Sequence, residues 1–140
     1  MGIPFVPRSD DIGKLLLRLA IGGTLLFHGV FKIQQGVAWI AGPLGEFGLP
    51  GFLAYGTYLA EVVAPILILL GIWTRPAALV VAFDLFMAIV LVLRPQLFTV
   101  KEMGGGWGVE LEALFLLGAL ALVFLGAGKY RLTRAESALD

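Results

Sequence analysis

Arg18, His28, Lys32, Glu61, Asp84, Glu110 and Glu112 are ionisable side chains set in or at the edges of apolar stretches of this 140-residue sequence. A carboxyl such as Glu61 can take up and release a proton, while a lysine or the single histidine can donate a hydrogen bond to a carbonyl oxygen. A charged group inside hydrocarbon costs roughly 2.5 kcal/mol or more, so each should turn toward protein or a water-filled pocket. Glu61, the sole charge of its segment, has the strongest functional claim. Pro65 follows it by four positions and cannot donate to its carbonyl. That leaves a polar group beside the carboxylate for a proton, a quinone oxygen or a water.

The segments that must position these groups are apolar and of membrane-spanning length. On a helix, Arg18, Gly22, Leu25, Gly29 and Lys32 share one stripe with His28 beside it, and the other sides carry Leu, Ile, Ala and Phe. Helices are expected over about 12–33, 52–73, 76–93 and 108–126, each near the ~20 residues that cross a ~30 Å hydrocarbon core. Ser9, Asp10 or Asp11 would cap the first. The stretch 34–51, broken by glycine and proline, reads as a loop at the membrane interface, and 94–107 as a second exposed loop. The reading is all-α: an antiparallel four-helix transmembrane bundle in a single integral-membrane domain over 1–140, with tails at 1–11 and 129–140.

Composition agrees. The chain is 59% hydrophobic and 14% charged, against about 25% charged in ordinary soluble domains. A soluble protein this small could not bury so much apolar surface. Zero net charge without a basic run excludes nucleic acid as a partner. No cysteine is present, so disulfides and thiolate chemistry are excluded, and one histidine without a ligand spacing leaves no metal motif. The first fourteen residues lack the apolar core of a cleaved signal. Arg8, Lys14, Arg75, Lys129, Arg131 and Arg134 outnumber Lys32, Arg94 and Lys101, which places both termini in the cytoplasm of an inner-membrane protein.

Depths along the helices allow Arg18 to pair with Asp84, as a structural or a catalytic pair. They also allow His28, Lys32, Glu61 and one of Glu110 and Glu112 to form a second cluster; those two glutamates point about 200° apart. His28 could instead donate to a backbone carbonyl, and Lys32 could reach the headgroups.

In RLAIGGTLLFHGVFK, in FGLPGFLAYGTYLAEVVAPILILLGIWTRPAAL and in an acid opening an apolar run into GAGKYRL, the chain resembles the DoxX family of small four-helix membrane proteins. The resemblance implies a membrane subunit of a redox complex, such as the membrane part of a thiosulfate:quinone oxidoreductase or an assembly that detoxifies oxidants. Carried over by position, the family's polar residues fall on Arg18, His28, Lys32, Glu61 and Glu110 rather than Glu112. By this analogy His28 and Glu61 would be catalytic, Glu61 passing protons, and Arg18, Lys32 and Glu110 would line a quinone site, with His28 or Lys32 bonding a quinone carbonyl. Many relatives carry a histidine near the outer end of the third helix, where this chain reads LVLRPQLF, and GAG stands in place of their closing GPG. The alternatives are a non-enzymatic anchor within a larger membrane complex, a carrier of protons or small solutes, and a homo-oligomer enclosing a path.

Overall fold

A computed structural model describes residues 9–133 and 138–140. Arg8 and Arg134, counted above for orientation, lie outside the described residues. The described chain is helical, and its only extended pairing is an isolated antiparallel bridge between Val100 and Trp107.

Helix α1 runs Asp10–Gln35. Of the three capping candidates it is Ser9 whose hydroxyl accepts the Ile12 N–H, at 3.2 Å. Asp11 instead accepts the Lys129 N–H at 3.0 Å, tying the later chain to the start of α1. Helix α2 runs Gly51–Leu70 and α3 runs Thr74–Leu91. All three are long and apolar enough to cross a membrane. Helix α4, Glu110–Leu125, packs along α3. Its 16 residues reach about 24 Å at ~1.5 Å per residue.

The core joins all four helices through Leu25, Ile68, Val81, Leu85, Phe115 and Leu122. Ala64, Ala77, Ala78, Ala82 and Ala119 lie among them. Small residues let helix backbones approach closely, which is how helices pack where lipid removes the hydrophobic drive between them. The large apolar side chains point outward instead: Phe27, Phe83, Leu117 and Phe124 are exposed. Such a surface suits lipid rather than water.

The link between α1 and α2 is more ordered than a broken interface loop. Its apolar residues fold over the end of the bundle as a short helix, Ala41–Glu46, and a small core of Val37, Leu44 and Ala54 against Tyr58 and Leu91. The Arg94 guanidinium lies over the Phe47 ring, 4.8 Å from its centre. This cap closes the bundle at the Lys32 end.

Candidate functional site

The stripe on α1 packs against α2, as its residue types require. Arg18, Gly22, Leu25 and Gly29 are buried and Lys32 is nearly so. A Cβ at Gly22 would stand 3.0 Å from the Pro65 carbonyl oxygen, and one at Gly29 would run into the Glu61 carbonyl. The glycines therefore bring α1 backbone onto α2 backbone, with charges held at either end of the seam.

At one end Arg18, 1% exposed, does not meet Asp84. Its Nε donates to the Ile68 carbonyl and its Nη2 to Leu69, both at 2.8 Å, while Nη1 donates to Ala127 at 3.0 Å and to Tyr130. Ile68 and Leu69 belong to the last turn of α2, where carbonyls lack intrahelical donors and carry the negative end of the helix dipole. Ile72 N–H closes on Leu67, Gly71 N–H on Ile68, and Leu132 N–H on Leu70, so the whole turn is satisfied. Gly71 makes this possible twice over. Its φ is +73°, and a Cβ there would stand 2.7 Å from Arg18 Nη2. The expected Arg18–Asp84 pair is thus corrected: the fork takes the nearest carbonyl-rich helix end.

At the other end Lys32 Nζ donates to Glu61 Oε1 at 2.7 Å, with the Glu61 side chain 7% exposed and that of Lys32 20%. Asp84 of α3 comes up against both, near enough for its carboxyl and that of Glu61 to share a hydrogen bond. Tyr58 donates its hydroxyl to the Lys32 carbonyl at 3.3 Å. The other Glu61 oxygen, Oε2, is buried and has no hydrogen-bond donor.

Local backbone helps to present this group. Glu61 sits in a π turn, Leu59–Val63, where the Ala64 N–H reaches back to Leu59, and Pro65 then offers no N–H to Glu61. A second π turn, Leu19–Gly23, follows Arg18 on α1. Single π turns inside helices recur at functional sites. An apolar recess of about 270 Å³, lined by Ile33, Tyr58, Val62 and Val63, opens between α1 and α2 beside Tyr58.

The remaining expected residues stand apart from this trio. His28 is exposed, its ring edge-on to Phe115 with centres 5.8 Å apart. Glu110 is half exposed and lies 3.8 Å from Lys101 of the preceding loop. Glu112 shares the α4 face of Phe115, Ala119 and Leu122 and is half-buried, so it is the more inward of the two glutamates. Among the described residues no group of His, Asp and Glu is placed to hold a metal ion.

The partnership of Asp84 with Glu61 escaped the sequence reading, although a signal was there. The turn between α2 and α3 is tight, and Glu61 precedes the end of α2 by nearly as many residues as Asp84 follows the start of α3. Equal distances from a hairpin turn put two residues at one depth.

The model of the family described as DoxX matches residues 13–94, the segment that carries Arg18, Lys32, Glu61 and Asp84. The chain belongs to the DoxX family. Among DoxX-like relatives, a Bacillus subtilis protein named "Putative oxidoreductase CatD" is 32% identical over 86% of this chain and 84% of its own. An uncharacterized membrane protein of Mycobacterium tuberculosis is 32% identical over 88% of this chain and 80% of its own. An uncharacterized Haemophilus influenzae protein is 31% identical over 80% and 81%. No solved structure matches. Family and apolar helices together make this DoxX protein an integral membrane protein in a lipid bilayer.

Proposed function

We propose that this DoxX protein is the membrane subunit of a quinone-linked redox complex, with Lys32, Glu61 and Asp84 as its proton-holding site. The observation that carries the reading is Glu61 Oε2, a buried carboxylate oxygen with no donor, next to Lys32 and Asp84. An unpaired acceptor of this kind is costly and is retained where a further group or a proton is to be received. The name of the Bacillus relative, an oxidoreductase, points the same way.

The residues fit a quinone: an apolar recess for the ring and tail, lined by Ile33, Tyr58, Val62 and Val63, whose chain neighbours Lys32 and Glu61 form the ion pair. When bound, a quinone supplies two-electron, two-proton carrier chemistry. The chain's own part is to hold charge and protons. Lys32 contributes one positive charge against two carboxyls, so the trio is neutral when Glu61 and Asp84 hold one proton between them. Oε2 is the atom where that proton enters or leaves. Lys32, fixed by Glu61 and by the Tyr58 contact with its carbonyl, orients the donor side. His28, exposed on α1 with its ring edge-on to Phe115, stands apart from the recess and has no part in this reading.

In this reading α4 also crosses the bilayer, giving an antiparallel four-span bundle in the inner membrane with both termini cytoplasmic. Electrons come from a soluble or membrane partner in this reading, and without cysteine the chain has no thiol redox pair of its own. Gentle extraction followed by analysis of quinone and co-purifying proteins tests this: quinone near one per chain is expected together with a partner. A stoichiometric partner without quinone would establish the second reading, a membrane anchor. That reading is favoured by the loop between α3 and α4, where Phe98 and Met103 are 95% and 92% exposed.

A further inference from the structure

At the Arg18 end of the bundle, opposite the trio, the chain forms a second cavity of about 410 Å³, lined by Lys14, Arg75, Leu125, Gly128, Arg131 and Asp140 among others. Three cations from three parts of the chain converge there: Lys14 from the first turns of α1, Arg75 from the start of α3 and Arg131 from the segment after α4. The one lining carboxylate is already engaged. Asp140 Oδ1 accepts the Trp73 N–H at 2.7 Å and Oδ2 accepts the Thr133 hydroxyl at 3.2 Å. Its backbone oxygen takes the Arg75 Nε at 3.3 Å, and Arg131 Nε donates to the Thr133 carbonyl at 3.1 Å. Those bonds hold both guanidinium groups by one edge. The Nη groups of both arginines and the Lys14 ammonium make no hydrogen bond to the protein among the described residues.

We infer that this cavity binds the phosphate of an anionic lipid headgroup. An arginine fork held by Nε presents its remaining N–H groups in the geometry that matches phosphate oxygens, and a lysine adds a point charge. Basic pockets between spanning helices near a membrane surface are where anionic headgroups settle. Lipid rather than free phosphate follows from what lies next to the cations. Leu125 lines the cavity and is itself exposed, Phe124 beside it on α4 is exposed, and Trp73 and Leu132 are exposed at the same end. Acyl chains leaving the headgroup would run down this apolar face of α4. The site is separate from the Lys32–Glu61–Asp84 trio and does not depend on the redox reading.

The test is lipid retention by the purified full chain, read by native mass spectrometry. The probes are phosphatidylglycerol, phosphatidylcholine and inorganic phosphate. The variants are Lys14→Gln/Arg75→Gln, the charge-keeping Lys14→Arg/Arg75→Lys, and Lys101→Gln at the opposite end as a control. Phosphatidylglycerol should be retained over phosphatidylcholine. At about a factor of five per charge, retention should fall about twenty-five-fold in the Gln pair and hold in the other two. Helical circular dichroism, unchanged in every variant, guards against misfolding. Equal retention of both lipids, or undiminished retention in the Gln pair, would overturn the inference. So would binding of inorganic phosphate with the same charge dependence and no lipid preference.

Discussion

Gly29 of α1 and Glu61 of α2 meet backbone to backbone: the place where a side chain on Gly29 would begin is filled by the Glu61 carbonyl. The Gly29 Cα–H on that side points at an oxygen that Pro65 leaves without its helical donor, a weak contact of a kind common between closely packed helices. The same approach brings Lys32, one turn along α1, to the Glu61 carboxylate.

Gly29→Ala therefore forces the two helices apart. Overpacking at a rigid backbone contact costs about 1–3 kcal/mol, and the displaced seam also lengthens the Lys32–Glu61 bond. Gly23→Ala, where a Cβ meets nothing within 4 Å, should be neutral or slightly stabilising. Unfolding in mild detergent against increasing denaturant measures both. A Gly29→Ala protein as stable as wild type would show that the helices do not cross so closely.

Arg18 and Asp84 should behave as strangers. Double-mutant coupling between Arg18→Lys and Asp84→Asn is expected within about 0.5 kcal/mol of zero, since the residues share no partner. Arg18→Lys alone should cost roughly 2 kcal/mol or more, because an ammonium cannot serve four carbonyls arranged for a guanidinium. A large coupling energy would restore the ion pair that the sequence first proposes.

Lys32→Met should destabilise by about 3 kcal/mol, because it leaves the buried Glu61 carboxylate beside Asp84 with no cation, whereas Glu61→Gln should cost less, since Asp84 still balances Lys32. The double variant should recover much of the loss. Additive losses in the same unfolding measurement would mean the pair contributes nothing as a pair.

Glu110→Gln tests the family-based assignment against the geometry. Its contact with Lys101 is half exposed and worth at most about 1 kcal/mol, so stability and bound quinone should stay near wild type. Glu112→Gln, on the inward face, is the helix α4 change expected to matter more. The reverse order in a quinone assay would return Glu110 to the site.

Much of this was legible because hydrocarbon leaves few choices for a charge. The stripe from Arg18 to Lys32 could be read from helical spacing alone, and so could the long apolar helices. What the spacing could not supply was the partner of each charge. Arg18 is satisfied by carbonyls, and although Gly71 marks where α2 ends, no residue type says that its carbonyls rather than an acid take the fork. The π turns at Leu19–Gly23 and Leu59–Val63 are likewise unmarked by any residue type, although the α1 stripe persists across the first. The family's pattern places its helix α4 acid at Glu110 rather than Glu112, and a position along the chain carries no information about which face packs on α3.

The most direct measurement of the central claim is calorimetric titration of a short-chain quinone into the purified protein. Saturable binding to wild type is predicted, weakened about tenfold or more by Glu61→Gln and by Lys32→Met, and unchanged by Glu110→Gln. Absence of binding to wild type, or equal binding to all four proteins, would contradict it.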